Sequence, residues 1–193
     1  MGNSFPLGVP FRFESVKLLW TVENIYSREE CEGFISAIEE ANPSLATKNP
    51  MYRDQDRVIV DNEKIASDLL TRLEKHLPSR IDRFHLVRLN ERLRLYRYKT
   101  GQKFSPHMDH WYQPSDTELS LLTILVYFNS NFSGGETRFM EQLEAMIIPK
   151  PGLVAIFQHK IRHEGCPVLS GTKYALRTDA IYSLDVDIEK SKI

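Results

Sequence analysis

The stretch FHLVRLNERLRLYRYK, residues 84–99, decides how the rest of the chain is read. Leu86, Arg88, Asn90, Arg92, Arg94, Tyr96 and Tyr98 alternate with their neighbours at a period near two, the repeat of an extended strand whose side chains point to opposite faces. Everything C-terminal to it reads the same way, with strands expected at about 84–99, 104–109, 118–129, 136–140, 144–149, 152–158 and 172–184. Turn signals divide them at Thr100-Gly101, Gln113-Pro114-Ser115-Asp116, Ser133-Gly134-Gly135 and Pro149-Lys150-Pro151-Gly152.

N-terminal to that stretch the pattern is helical. Residues 16–26 suggest a strand or two. Ser27 followed by Glu30 is a capping box. The helix it opens places Cys31, Phe34, Ile35 and Ile38 on one side and ends before Asn42-Pro43. A polar loop covers 42–56 and a short strand 57–60. A second helix is expected from Asn62 to Leu77, with Ile65, Leu69, Leu73 and Leu77 in register and Pro78 as its stop. Helices followed by a run of short strands predict an α+β fold, a sandwich or barrel with helices buttressing one sheet. No internal linker breaks the pattern, so residues 1–193 are expected to form one domain, with a helical buttress at about 27–77 and a strand core at about 84–184.

Composition narrows the class. The chain has 193 residues, 41% hydrophobic and 26% charged, with a formal net charge of −1. That size supports a core without metal or disulfide staples, and that charge provides no field to attract nucleic acid. Arg88, Arg92, Arg94 and Arg97 read as a solvated sheet face. Cys31 and Cys166 are far apart and fit no ligand spacing, as in a reducing compartment. The N-terminus lacks the charged and apolar regions of a signal peptide, and Pro6 stands where a myristoylation site wants Ser or Thr. The longest apolar run, Leu121 to Phe128, is too short to span a bilayer. A cytoplasmic protein without a membrane partner is expected.

The chemistry gathers at Phe104-Ser105-Pro106-His107-Met108-Asp109. In an extended strand His107 and Asp109 point the same way and can chelate one ion. His163, after the apolar strand LVAIF, supplies a third ligand. Two imidazoles and a carboxylate make the facial triad of non-haem iron(II) oxygenases, which leaves one face of the ion open. His110 points to the other strand face and reads as structural; His159 reads as support or packing.

The stretches LRLYRYKTGQKFSPHMDHW (93–111), LTILVYFNSNFSGGETRF (122–139), IPKPGLVAIFQH (148–159) and HEGCPVLSGTKYALRTDAIY (163–182) together resemble the prolyl 4-hydroxylase-like family of Fe(II)/2-oxoglutarate-dependent dioxygenases. The resemblance, which with the ENIYSREECEGFI helix covers most of the chain, implies a double-stranded β-helix, or jelly roll, with iron at its mouth. It implies Fe(II), 2-oxoglutarate and dioxygen as cofactor and co-substrates, with ascorbate as an optional reductant. It also implies that Lys173, ten residues beyond His163, pairs with the far carboxylate of 2-oxoglutarate. Arg177 faces the same way on the same strand and competes for that role. Tyr127 would donate its hydroxyl to the same carboxylate, and Tyr98 would lie near the keto acid. Gly134-Gly135 would bend the chain tightly, with Thr137 facing the cavity.

The expected reaction is hydroxylation of an unactivated C–H bond, in a prolyl or other residue of a peptide or protein, or in a free amino acid or related metabolite. Residues 48–61 lie where relatives carry a substrate loop. Arg57 and Asp61, with Arg53 beside them, and Trp111 next to the His107–Asp109 segment, are the candidate substrate contacts; Phe104 flanks that segment too. Two alternatives share the triad: a cupin-type dioxygenase that uses no 2-oxoglutarate, and a non-catalytic jelly-roll metal-binding module. Lys173, Arg177 and Tyr127 argue against the first, since they would have no carboxylate to meet. The intact triad argues against the second.

Overall fold

A computed structural model describes residues 9–46, 53–141 and 143–185. Strands run over Leu19–Val22 (β1), Ser44–Leu45 (β2), Asp56–Asp61 (β3), Arg80–Ile81 (β4), Phe84–Leu89 (β5), Arg92–Lys99 (β6) and Phe104–His107 (β7). They continue over Glu118–Tyr127 (β8), Ser133–Gly134 (β9), Thr137–Phe139 (β10), Ala145–Ile147 (β11), Val154–Gln158 (β12), His163–Gly165 (β13), Val168–Ser170 (β14) and Thr172–Leu184 (β15). The helices are Arg28–Glu40 (α1) and Glu63–Leu73 (α2).

Both helices start where the sequence caps them. The Ser27 hydroxyl accepts from the Glu30 backbone N–H, and the Glu30 carboxylate accepts from that of Ser27. Asn62 caps α2 by accepting from the Ile65 N–H. The second helix is shorter than its periodicity predicts. Its last turn tightens to a 3-10 turn over Glu74–His76, and Leu77 is already extended ahead of Pro78.

The main sheet runs in the order β1-β12-β8-β15-β6-β3-β2, with β5 also on β15 and β4 on β5. A smaller sheet runs β11-β10-β13-β7, and β14 pairs with β9. The strand pairings among the described residues are antiparallel. The long strand expected over 84–99 is broken. Leu89 pairs with Ala180 and Arg94 with Arg177, so two extra residues bulge out of β5–β6 around Asn90-Glu91. The Asn90 N–H donates to the Asp179 carbonyl and its side chain accepts from the Arg92 N–H, which holds the bulge.

The two faces of the main sheet do different work. Leu93, Leu95, Ile124, Val126 and Leu176 pack with Cys31, Ile38, Leu69 and Leu73 of the helices. On the opposite face Tyr96, Tyr98, Tyr127 and Ala175 pack with Phe139, Ile147 and Phe157. The arginines do not share one solvated face. Arg97 is on the helix side with Glu39 and Asp56, while Arg94 reaches Asp179 and Arg92 meets Asp61. Arg88 meets Glu118. Acids distant in sequence, invisible in a local reading, account for all four.

Candidate metal centre

Strand pairing places the two histidines. His107 and His163 are direct partners in the β7–β13 ladder, so their side chains share a face, and their ring centroids lie 4.3 Å apart. Each ring is oriented from behind. His107 Nδ1 is 2.8 Å from the Ser105 carbonyl, and His163 Nδ1 is 2.9 Å from that of Ile161. A carbonyl only accepts, so both Nδ1 atoms carry the proton and both Nε2 lone pairs are free. Those Nε2 atoms face Asp109, at 3.8 Å from Oδ1 and from Oδ2. One ligand atom from each of the three lies within 4.8 Å of the others.

Asp109 arrives there by a different route from the one its spacing suggests. The strand ends at His107, so shared strand orientation does not position the carboxylate. Its backbone N–H donates to the His159 carbonyl, and Lys160 Nζ donates to the Asp109 carbonyl at 2.9 Å. Thr123 Oγ1 donates to Oδ2 at 2.6 Å. That hydroxyl therefore accepts from His159 Nδ1 at 2.8 Å, and His159 Nε2 accepts from Ser120 Oγ, which itself accepts from the Tyr112 N–H. A chain Ser120–His159–Thr123–Asp109 with fixed proton directions results. His159 thus supports a ligand, and His110 is exposed.

The donor set is in the right protonation state for a hard-to-intermediate cation. Burial and the neighbouring His163 push His107 down to about 4. Burial also lowers His163. For Asp109, burial favours the neutral acid, but Arg177 and then the two histidines outweigh it and hold the carboxyl well below the usual range. Two neutral imidazoles and one carboxylate are what Fe(II) takes, so the residues fit that ion.

Beyond the triad, a cavity between the sheets is lined by Tyr96, Tyr98, Phe104, His107, Thr123, Leu125, Thr137, Phe157, His163, Gly165, Lys173, Ala175 and Arg177. Lys173 and Arg177 both face it, as expected of residues four apart on β15, yet their surroundings differ. Arg177 Nη2 lies 3.2 Å from Asp109 Oδ1 and 2.9 Å from Asp179 Oδ1. Lys173 is 3% exposed, and its Nζ donates to the Gly135 carbonyl at 2.6 Å. It lies 5.1 Å over the Tyr98 ring and 5.4 Å over that of Tyr127. Among the described residues no carboxylate forms an ion pair with it, and burial pushes its ammonium down to about 8. The Gly135 carbonyl reaches Lys173 because Gly134 and Gly135 both take left-handed φ values, +69° and +68°.

Other expected contacts are redistributed. The Tyr127 hydroxyl donates to Thr137 Oγ1 at 2.7 Å, so it is engaged within the protein. Tyr98 is buried in the cavity wall. Asp61 is not brought to the cavity; it ends β3 on the surface, paired with Arg92. Trp111 does not line the cavity either; it packs toward the helix-side core with Lys160 Nζ 4.0 Å over its ring. Arg57 pairs in register with Tyr96, which puts its side chain on the cavity side. Arg53 lies 4.3 Å over the Phe104 ring, and Phe104 stacks on His107 at 3.6 Å. Residues 48–52 of the expected substrate loop, and Met1-Gly2 and Pro6, lie outside the described residues. Two participants were missed. Thr123 is the polar residue inside the apolar run at 121–128, and Asp179 follows Arg177 by two on the same strand face. Both carried a signal in strand periodicity.

A cavity between antiparallel sheets, with two histidines and a carboxylate converging beside it, matches the donor set expected of 2-oxoglutarate- and iron(II)-using oxygenases. The family model for the 2OG-Fe(II) oxygenase superfamily matches residues 93–178. A probable prolyl 4-hydroxylase 7 of Arabidopsis thaliana is 26% identical over 137 residues, 64% of this chain and 43% of that protein. Prolyl 4-hydroxylase subunit alpha-2 of Gallus gallus is 31% identical over 102 residues, 46% of this chain and 19% of that protein. The chain thus spans less than half the length of these curated relatives. The viral collagen prolyl hydroxylase of Paramecium bursaria chlorella virus-1 superposes with a TM-score of 0.66 at 25% identity, over 88% of this chain and 98% of that one. A Pseudomonas putida prolyl-4-hydroxylase shares the fold, with a TM-score of 0.66 at 13% identity over 86% and 93%. Residues 93–178 of the chain are thus similar to the 2OG-Fe(II) oxygenase superfamily, and its relatives in sequence and in fold are prolyl hydroxylases. That family uses Fe(II), 2-oxoglutarate and dioxygen.

Proposed function

We propose that residues 1–193 act as one oxygenase domain that hydroxylates an unactivated C–H bond of an amino-acid-like substrate. The substrate is a prolyl or other residue of a peptide or protein, or a free amino acid. In this reading His107, Asp109 and His163 hold Fe(II), and Lys173 takes the far carboxylate of 2-oxoglutarate. Bound there, the two supply dioxygen activation coupled to loss of carbon dioxide and formation of succinate. The protein's part is to hold ligands, orient both substrates and exclude water. The Nδ1–carbonyl bonds keep the Nε2 lone pairs aimed, and the Thr123 donor keeps one Asp109 oxygen engaged.

The observation that carries this reading is the Lys173 ammonium at a cavity wall with no ion-pair partner among the described residues, beside a converged His-Asp-His set. A buried cation of that kind is costly unless a ligand brings the counter-charge. The same reading assigns Arg177 to Asp109 and Asp179, since it already has two carboxylates. Anaerobic titration with Fe(II) and then 2-oxoglutarate tests it. The visible charge-transfer band of a keto acid chelated to iron(II) is expected in the wild type and absent in His107→Ala. Iron binding without that band would remove 2-oxoglutarate from the proposal. No helix among the described residues is long and apolar enough to cross a membrane.

A further inference from the structure

The charges facing the cavity do not balance once the proposed ligands are counted. Lys173, Arg177, Arg94, Arg57 and Arg53 lie on or beside it, against Asp109 and Asp179 at hydrogen-bond range, with Glu136 acting on Lys173 and Asp54 on Tyr98 without forming an ion pair to these cations. Fe(II) would be met by Asp109 and the near carboxylate of 2-oxoglutarate, and Lys173 by the far one. Arg177 and Arg94 share Asp179. Arg53 and Arg57 are left over, with no ion pair to any described residue within 4 Å.

Their hydrogen bonds and ring contacts among the described residues are with neutral groups. Arg57 Nη2 donates to the Ala46 carbonyl at 3.3 Å. After burial, the groups that act on it are Arg53, Tyr96, Arg94 and Arg92, three cations and a phenol. Arg53 reaches the Tyr96 hydroxyl at 3.5 Å and covers the Phe104 ring. With the Gln55 amide turned oxygen-first, Arg53 also donates to it at 2.9 and 3.2 Å. The adjoining stretch 47–52, TKNPMY, has no acid in its sequence to serve as a partner. Asp54 and Asp56 are engaged elsewhere, with the Lys103 N–H and with Arg97 and Lys99. Two like charges half-withdrawn from water beside each other disfavour the unliganded state and favour an anion between them.

Resting on the oxygenase reading above, we propose that the substrate carries a carboxylate, which docks on Arg53 and Arg57. The stack Arg53–Phe104–His107 sets the distance. An anion on Arg53 is separated from a triad imidazole by one aromatic ring, which brings a small molecule or side chain held there close to the triad. Guanidinium pairs match a carboxylate's two oxygens in a plane, which selects for this group over a neutral amide. The carboxylate belongs to a free amino or related acid, or to an acidic side chain or C-terminus of a peptide; both offer the same group.

The test uses full-length protein held anaerobically with Fe(II) and saturating 2-oxoglutarate. The probes are matched pairs: N-acetyl amino acids with their carboxamides, and short peptides carrying Glu with the same peptides carrying Gln. Binding is read by saturation-transfer NMR up to about 10 mM, which registers millimolar dissociation constants. Acid members are expected to bind and amides not, with Arg57→Gln and Arg53→Gln each weakening the acid about ten- to a hundredfold. In Lys173→Met the probe should be retained, which separates this locus from the keto-acid locus. The arm that binds, free acid or peptide, identifies the source of the carboxylate. Equal binding of acid and amide, unchanged binding in both arginine variants, or no acid bound at all would overturn the proposal. The charge-transfer band recorded on the same sample reports separately on the oxygenase reading, so its absence with acid selectivity intact would sink only that reading.

Discussion

Lys173 and Arg177 lie four residues apart on one face of one strand, and they live under opposite electrostatic regimes. Arg177 is saturated from within: Asp109 and Asp179 outweigh the effect of burial and hold its pKa above the ordinary value. Lys173 has a backbone carbonyl and two aromatic faces, and burial lowers it. The contrast separates a cation whose counter-charges are built into the fold from one that no described carboxylate pairs with. It also explains why Arg177, the better carboxylate ligand by chemistry, is the weaker candidate for the keto acid by location.

The sharpest way to break that comparison is Arg177→Met. It leaves Asp109 and Asp179 buried beside each other with one compensating cation removed, and it should lower stability by about 3–5 kcal/mol. Thermal unfolding reads it. Fe(II) should restore part of the loss, because the ion replaces the missing charge at Asp109. An Arg177→Met protein as stable as the wild type would mean that the two residues are not different in kind.

Lys173→Met should do the reverse. Removing an unpaired buried ammonium is expected to raise the stability of the ligand-free protein by about 1–3 kcal/mol while weakening 2-oxoglutarate about a hundredfold. Isothermal titration beside a melting curve gives both numbers. Retained affinity in this variant, with loss in a folded Arg177→Lys, would exchange the two roles.

The pH dependence follows from the same lysine. Its folded value of about 8 lies below its ordinary 10.5. Below about pH 8 the ammonium is present to meet a carboxylate. Above it the amine is neutral, so 2-oxoglutarate affinity should fall by up to about tenfold per pH unit. The ligand-free fold should respond with the opposite sign. Between 8 and 10.5 the unfolded chain binds more protons at this site, so stability rises with pH there. A Lys173→Met protein should lose the decline in affinity.

The smallest expected effect is at Thr123→Val, which withdraws one donor from Asp109 and an acceptor from His159. A loss of about 1–2 kcal/mol in stability is expected, with Fe(II) affinity reduced but measurable. If iron binding were unchanged, the Ser120–His159–Thr123 chain would serve packing alone.

The local code was readable where physics is local. The capping box at Ser27, the period-two strand at 172–184 and the Gly134-Gly135 bend all rest on interactions between residues a few positions apart, and the chain forms them as its sequence reads. The same reading named His107, Asp109 and His163, because ligand chemistry restricts the residue types and strand ends restrict the places.

What tertiary structure decided is who stands opposite whom. The pairing of His107 with His163 depends on the register of strands more than fifty residues apart, and that of Arg57 with Tyr96 on strands nearly forty apart. The β6–β15 register set Arg94 opposite Arg177, and the β3–β6 register sent Asp61 out to Arg92. Periodicity says which face a side chain takes. Only the order and register of the sheet say which charges share that face, and at this site those charges set the difference between Lys173 and Arg177.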